Sequence, residues 1–164
     1  MSTYSFATID SLVGRLELVS DGEALVRLSI EGPDYPLQHG GRPGQPDAVI
    51  HQATQELAEY FAGSRRGFDV PVKLVGTAFQ QAIWHELAAL NFGETAGYGE
   101  LATRAGKPQA GRAVGGAVGA NPVGIIIPCH RVLAANRKLT GYSTGRGTET
   151  KVQLLELEGA TFSR

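Results

Sequence analysis

The sequence predicts an α+β protein in which a small antiparallel sheet and one helix come before a mostly helical unit. Apolar and polar side chains partly alternate in the first thirty residues, as in half-buried strands, whereas apolar residues beyond position 76 recur at helical spacing. With 164 residues and 42% hydrophobic composition, the chain can bury one sizeable core or two small ones. We therefore expect an N-terminal α/β domain over residues 1–73 and a C-terminal domain over residues 74–164.

The N-terminal domain is expected to hold three short strands and one helix. The strands are predicted over residues 6–9, 15–20 and 24–30, with a hairpin turn at Asp21-Gly22. Glycines and prolines crowd residues 31–47, which favours a long surface loop. A helix is predicted over residues 49–61, because its apolar side chains share one face, and Gly63 ends it.

The C-terminal domain begins with a helix signal and continues with a helix-turn-helix pattern. Thr77 and Gln80 have the spacing of a capping box, and apolar positions follow at helical intervals through Leu90. Two more helices are predicted over residues 98–105 and 109–120, on either side of a turn that starts at Gly106. Gly106 fits a turn that needs a positive backbone dihedral.

The helix predicted over residues 109–120 has an unusual composition. One side is an apolar stripe, which predicts a packed face, and consists of Ala110, Ala113, Val114, Ala117 and Val118. The other side is rich in glycine and consists of Gly111, Arg112, Gly115, Gly116 and Gly119. A helical glycine costs about 1 kcal/mol relative to alanine, so close approach to a partner must favour it. A DNA groove and tight packing inside the protein explain it equally well.

Charge is distributed unevenly along the chain. Residues 1–73 hold 6 Lys and Arg against 10 Asp and Glu, a net of -4, whereas residues 74–164 hold 9 against 6, a net of +3. No acidic residue lies between Leu101 and Lys138, a stretch that contains Arg104, Lys107, Arg112, Arg131, Arg137 and Lys138. Such a stretch suits a surface that faces DNA phosphates, although a solvated basic face would look the same.

Cysteine content and hydropathy exclude several protein classes. The single cysteine, Cys129, rules out an internal disulfide and a thiolate-rich zinc site, and it suits a reducing compartment. No stretch has the roughly 18 consecutive apolar residues of a membrane span, and no basic segment with an apolar run opens the chain. We expect a cytoplasmic protein without membrane association.

The segment around Cys129 holds the residues that suit nucleophilic chemistry. Three isoleucines at residues 125–127 predict a buried strand that Pro128 stops, and Cys129 and His130 follow directly. A thiol needs a base to ionise near neutral pH, and His130 qualifies only with a non-extended backbone or a bridging water. A carboxylate on the helix predicted over residues 150–158, Glu156 or Glu158, would orient the imidazole. An isolated Cys-His pair is more often inert.

Four motifs together resemble one family. Pro128-Cys129-His130-Arg131-Val132 is similar to the active-site signature of the O6-alkylguanine-DNA alkyltransferases. Asn121-Pro122-Val123, Gly141-Tyr142-Ser143 and the Leu-Leu-Glu-Leu-Glu-Gly sequence at residues 154–159 extend the match in the same order. The resemblance is strong over residues 76–160. It implies a ribonuclease-H-like N-terminal domain and a winged helix-turn-helix-like C-terminal domain that carries the active site.

The resemblance also implies a reaction. Members move a methyl or other alkyl group from O6 of guanine, and also from O4 of thymine, onto their own cysteine, here Cys129. The product is an irreversible S-alkylcysteine, so each molecule reacts once. The partner would be double-stranded DNA carrying O6-alkylguanine, whose base is flipped through the minor groove. Neither a cofactor nor a metal is expected, and the protein would be a monomer.

The residues that the resemblance assigns fall into two groups. The catalytic residues would be Cys129 as nucleophile, His130 as base through a water, Glu158 to orient His130, and Asn121 to link the recognition helix to the active-site turn. The residues that bind the base or the DNA would be Tyr98, Arg112, Ala110, Gly111, Ala113, Val132, Tyr142 and Ser143. Among these, Arg112 would fill the gap in the base stack and Tyr98 would rotate the nucleotide and bond to the base.

Two other functions are compatible with parts of the sequence. A lesion sensor of the same fold would bind alkylated DNA without transfer, but such proteins lack the cysteine. A Cys-His-Glu hydrolase would need an oxyanion-hole motif, which is not evident. Gly124 stands where many family members have a proline, and the stretch from Ser143 to Lys151 is about two residues longer than usual, so the range of adducts stays open.

Overall fold

The computed structural model describes residues 4–164, which form two units that each have their own buried core. The first unit contains residues 4–74 and the short segments 122–124 and 144–146; the second contains residues 75–121, 125–143 and 147–164. The α+β prediction is confirmed. The domain boundary at residues 73 and 74 stays a prediction, and the sequence pattern does not place the two short segments with the first unit.

The first unit is built on a three-stranded antiparallel sheet. Its strands are β1 (Ser5–Ile9), β2 (Leu16–Ser20) and β3 (Leu25–Ile30), in the order β1-β2-β3. Every residue of the central strand β2 is buried, and helix α1 (Ala48–Phe61) packs against the sheet. All four elements lie within one residue of their predicted bounds. Gly63 has a φ of +81°, as suits the residue that ends a helix.

The predicted loop over residues 31–47 contains no helix or named strand, but it is held in place. The buried carboxylate of Glu17 on β2 accepts hydrogen bonds from the backbone amides of Gln38 and His39, at 3.2 and 2.8 Å. The His39 ring also lies 3.1 Å from this carboxylate and stacks on Phe6. A buried acidic residue inside a strand thus provides the acceptors that the loop backbone needs.

The second unit is mostly helical. It contains α2 (Ala78–Ala88), α3 (Tyr98–Arg104), α4 (Gly111–Gly119) and α5 (Thr148–Leu157), with the two-residue strands β4 (Ala96–Gly97) and β5 (Val132–Leu133) paired in parallel. The predicted capping box of Thr77 and Gln80 is present, and Gly106 has a φ of +76° in the turn between α3 and α4. No helix within residues 4–164 has the length and apolar character required to cross a bilayer.

Helices α2, α3 and α4 pack against one another and bury part of the predicted stripe on α4. Val114, Ala117 and Val118 are buried, and the indole nitrogen of Trp84 on α2 donates a 2.8 Å hydrogen bond to the Ala117 carbonyl. The prediction is wrong for Ala113, which is exposed. Because α2 and α3 cover only part of α4, the outer edge of the stripe faces outward with Arg112.

The strand predicted over residues 125–127 is wrong, because these residues form a turn. Ile125 has a φ of +68°, a left-handed conformation that an extended strand does not contain. Ile125 and Ile127 are nevertheless buried, so the apolar run reflects burial rather than strand pairing. The side-chain amide of Asn121 donates a 2.8 Å hydrogen bond to the Ile127 carbonyl, an acceptor that a sheet would otherwise engage.

Candidate active site

Cys129, His130 and Arg131 form a single turn of 3₁₀ helix, which we call the Cys129 turn. The turn follows Pro128, whose φ of -82° and ψ of 67° end the preceding segment. This non-extended backbone meets one of the two conditions under which His130 can serve the neighbouring thiol, the other being a bridging water. All three residues are buried, and helix α5 packs against the turn.

His130, Arg131 and Glu158 form a buried set of hydrogen bonds that we call the carboxylate network. Nε2 of His130 lies 2.7 Å from one oxygen of Glu158, and Nε and Nη2 of Arg131 donate to the two oxygens at 2.8 and 2.9 Å. The backbone amide of Gly93 also donates to Glu158, at 3.0 Å. Of the two predicted carboxylates, the structure therefore brings Glu158 to His130 and leaves Glu156 exposed.

The hydrogen bond to Glu158 determines the tautomer of His130. An ionised carboxylate only accepts, so Nε2 carries the proton and Nδ1 carries the lone pair. Nδ1 is buried and has no hydrogen-bond partner among residues 4–164. The pKa of His130 is lowered, mainly because the ring is buried. The hydrogen bond to Glu158 and the negative charge of Glu158 act to raise this pKa, whereas the positive charges of Arg131 and Lys151 act to lower it. The imidazole is thus a neutral base with an available acceptor nitrogen.

Two opposing effects act on the ionisation of the Cys129 thiol: neighbouring groups favour it, and burial opposes it. Burial raises the pKa of Cys129, whereas side-chain hydrogen bonds with Asn121 and Tyr142 and the charge of Lys151 lower it. The hydroxyl of Tyr142 lies 3.9 Å from Sγ. With the Cys129 pKa raised and the His130 pKa lowered, Cys129 is a thiol and His130 a neutral imidazole in the resting protein.

A second polar set, which we call the lysine network, consists of Tyr98, Thr140 and Lys151. Nζ of Lys151 donates to Oγ1 of Thr140 at 2.9 Å, and the Tyr98 hydroxyl lies 3.1 Å from the same oxygen. Sequence reasoning included Tyr98 but missed Thr140 and Lys151. One signal was present: Lys151 lies three and four positions before Leu154 and Leu155, on the face of α5 that is buried.

The predicted DNA-binding residues on α4 lie on an open surface. Arg112 and Ala113 are exposed, whereas Ala110 and Gly111 are partly buried. A Cβ added at Gly111 would meet nothing within 4 Å, and the same holds for Gly116. Tight packing inside the protein therefore does not require these two glycines, and close approach of an external partner is the explanation that remains.

The stretch from Leu101 to Lys138, which holds no acidic residue, contributes a smaller basic surface than its composition suggests. Arg131 is buried against Glu158 and does not face outward, which corrects the expectation for that residue. The other five basic residues are exposed: Arg104, Lys107, Arg112, Arg137 and Lys138. The remaining predicted contacts differ in exposure, since Ser143 is exposed, whereas Val132 is buried in β5.

Two family models match the chain. Residues 78–160 match the DNA-binding domain of 6-O-methylguanine DNA methyltransferase, and residues 4–74 match the ribonuclease-like domain of the same family. The two matches follow each other along the chain and together span most of its length. They correspond to the helical part with the Cys129 turn and to the part with the three-stranded sheet.

Two similar proteins from different bacteria carry the same name. The chain is 43% identical over 159 residues to a methylated-DNA–protein-cysteine methyltransferase of Haemophilus influenzae, covering 96% of this chain and 88% of that one. It is 45% identical over 153 residues to the protein of that name from Mycobacterium tuberculosis, covering 93% and 91%.

Solved structures with the same fold come from Mycobacterium tuberculosis. Its O6-methylguanine methyltransferase superposes with a TM-score of 0.84 at 44% identity, covering 95% of this chain and 93% of that one. A structure of the mycobacterial protein in complex with DNA superposes with a TM-score of 0.83 at 44% identity, covering 94% and 92%.

Proposed function

This chain belongs to the 6-O-methylguanine DNA methyltransferase family, and we propose that it repairs DNA by moving an alkyl group from O6 of guanine to Cys129. One observation carries the proposal beyond the similarity. The buried Cys129 shares a turn with His130, whose Nε2 is held by Glu158 at 2.7 Å and whose Nδ1 is unpaired among residues 4–164. This arrangement suits removal of a thiol proton at the moment of attack.

In the proposed reaction, Sγ of Cys129 attacks the alkyl carbon. The new sulfur–carbon bond forms as the carbon–O6 bond breaks, and the electron pair of the broken bond stays on the guanine. The thiol proton passes through a water to Nδ1 of His130, and the negative charge of Glu158 stabilises the imidazolium that results. The thioether product has no good leaving group, so the protein transfers one alkyl group and stops. O4-alkylthymine offers the same carbon–oxygen bond and is a second substrate.

The alkyl carbon is inaccessible inside a stacked duplex, so the base must leave the helix first. The open surface of α4 supports binding in the minor groove, where the small residues Ala110, Gly111 and Ala113 would permit close approach. The exposed Arg112 would fill the gap left by the guanine. The mycobacterial relative in complex with DNA supports the same partner for this chain.

The flipped guanine would then meet a pocket beside the Cys129 turn. Tyr98 would bond to the base, the Val132 carbonyl and the Ser143 amide would contact its edge, and Tyr142 would lie beside the thiol. Asn121 connects the end of α4 to this turn through its bond to the Ile127 carbonyl. A free thiol that must stay reduced favours a cytoplasmic place of action.

The first experiment measures the mass of the protein after incubation with a duplex containing O6-methylguanine. We expect one methyl group per protein molecule, on the peptide that contains Cys129, and none after incubation with the unmodified duplex. The variant Cys129→Ala should bind the duplex and gain no mass. Lesion binding by an unmodified wild-type protein would indicate a sensor, and repeated turnover on an ester would indicate a hydrolase.

A further inference from the structure

Lys151 is a buried cation that the proposed reaction does not use. Its residue is 1% exposed, and no carboxylate among residues 4–164 lies within salt-bridge distance of it. Its nitrogen donates to Oγ1 of Thr140 at 2.9 Å and to the Gly141 carbonyl at 3.5 Å. An ammonium group buried without a carboxylate is costly, which calls for an explanation in function.

The hydrogen bonds of the lysine network determine the direction in which each hydroxyl points. An ammonium group only donates, so Oγ1 of Thr140 is the acceptor in its bond with Lys151. Within residues 4–164 the only other partner of Oγ1 is the Tyr98 hydroxyl at 3.1 Å, so that oxygen is the one acceptor open to the Thr140 proton. The Tyr98 hydroxyl proton is then left for a third group, and in the proposed function that group is the flipped base.

We propose that Lys151, acting through Thr140, holds the Tyr98 hydroxyl as a hydrogen-bond donor toward the flipped guanine. The inference rests on the proposed function. When the carbon–O6 bond breaks, the guanine keeps the electron pair and becomes negative, so a donor that faces it lowers the energy of the transition state. Lys151 and Thr140 are positioning residues in this scheme, and only Tyr98 contacts the base.

The charge of Lys151 also shifts the pKa of other titratable groups, so substitution of Lys151 itself would change more than Tyr98. Helix α5 packs against the Cys129 turn, and the charge of Lys151 lowers the pKa of both Cys129 and His130. Burial lowers the pKa of Lys151 itself to about 8. A change at Lys151 therefore alters the nucleophile as well as Tyr98, whereas a change at the uncharged Thr140 separates the two effects.

The test compares Thr140→Val, which keeps the shape and removes the hydroxyl, with Thr140→Ser, which keeps the hydroxyl. The first readout is the single-turnover rate of methyl transfer from duplex DNA. The second is the rate at which iodoacetamide alkylates Cys129, a reaction with no base to stabilise. We expect Thr140→Val to slow methyl transfer about tenfold, as loss of one hydrogen bond can do, without changing the iodoacetamide rate. Thr140→Ser should restore methyl transfer.

The variant Tyr98→Phe tests whether Thr140 acts through the Tyr98 hydroxyl. In its presence Thr140→Val should cause no further loss, because the hydroxyl that Thr140 holds is already gone. The ratio of wild-type to Thr140→Val rates should fall toward one above about pH 8, where Lys151 loses its proton. If Thr140→Val does not fold, Thr140→Ala takes its place in the same comparisons.

Three results would overturn the inference while leaving the proposed function intact: equal loss in both readouts, an additive loss with Tyr98→Phe, or wild-type transfer by Thr140→Val. Failure of the wild-type protein itself to accept a methyl group would instead overturn the proposed function.

Discussion

The carboxylate network and the lysine network both lie beside the Cys129 turn in the second unit, but only the first pairs its cation with a carboxylate. In the carboxylate network the guanidinium of Arg131 forms two hydrogen bonds with Glu158, and all three side chains are buried. In the lysine network the partners of the Lys151 ammonium within residues 4–164 are one hydroxyl and one carbonyl. One network is electrically balanced, and the other carries an unmatched positive charge.

This difference indicates separate roles in one reaction. Burial keeps His130 a neutral base in the resting protein. Glu158, which Arg131 holds in place, keeps the ring oriented and stabilises it once it accepts a proton. The unmatched charge of Lys151 instead favours anions near it, and the proposed reaction creates two of them, the thiolate and the departing guanine. The cost of burying Lys151 without a carboxylate is then offset in the transition state.

The largest expected effect comes from removing the cation of the carboxylate network. Arg131→Met leaves the Glu158 carboxylate buried and removes the bond from Nη1 of Arg131 to the Leu90 carbonyl. Loss of one partner of a buried ion pair costs about 3–5 kcal/mol, and we expect a decrease of that size in the free energy of unfolding. Urea denaturation followed by circular dichroism measures it.

A matched control is available on the surface of the same unit. Arg104 and Glu100 form an exposed ion pair at 3.6 Å on α3, so Arg104→Met should change stability by less than about 1 kcal/mol. Arg131→Lys keeps the charge but not the paired hydrogen bonds, and its stability should be intermediate. Equal stabilities for the two methionine variants would show that the carboxylate network is not the balanced, tightly held set described above.

The unmatched charge of Lys151 predicts an unusual dependence of stability on pH. Its pKa falls from the ordinary 10.5 to about 8 on folding, because burial disfavours the charged form. Between these values the unfolded chain binds the proton and the folded protein does not, so the free energy of unfolding rises with pH. The rise should begin near pH 8, end near pH 10.5 and total up to about 3 kcal/mol.

The measurement uses chemical denaturation in a Cys129→Ala background, since ionisation of the thiol would change stability in the opposite direction. In this background the additional change Lys151→Met should remove the rise with pH and increase stability at pH 7. If both proteins follow the same pH profile, Lys151 is not a buried charge without a matching carboxylate.

Local sequence patterns predicted most of the fold because short-range rules determine it. The strands end near Asp21-Gly22, and α2 begins at the Thr77–Gln80 capping box, where the sequence signals stand. The error at residues 125–127 has a clear cause. A buried turn and a buried strand both require apolar side chains, and the left-handed backbone of Ile125 leaves no local signature in the sequence.

The site was predictable to the extent that its residues belong to family motifs. The residues themselves indicated Cys129 and His130 as candidates, although an isolated pair of this kind is more often inert. The helix pattern left Glu156 and Glu158 equally possible, and the resemblance selected Glu158. Thr140 and Lys151 were missed, because they are eleven positions apart and meet only through tertiary structure. The burial of Arg131 was also missed, since a basic residue in a basic stretch is ordinarily assigned to the surface.

The smallest of these effects tests whether the negative charge of the carboxylate network serves catalysis. Glu158→Gln retains the size of the side chain but cannot stabilise a protonated His130. We expect the single-turnover rate of methyl transfer to fall about a hundredfold, equivalent to about 2.7 kcal/mol, which is within the usual contribution of a general base. Glu156→Gln, at the exposed position two residues earlier on α5, should react like the wild type.

Circular dichroism must show that Glu158→Gln is folded at the assay temperature, since the variant also removes the partner of Arg131. Glu158→Asp, which keeps the charge on a shorter side chain, should recover part of the rate. If the glutamine variant transferred methyl groups at the wild-type rate, the carboxylate network would only hold the turn together, and the lysine network would provide the electrostatic assistance to Cys129.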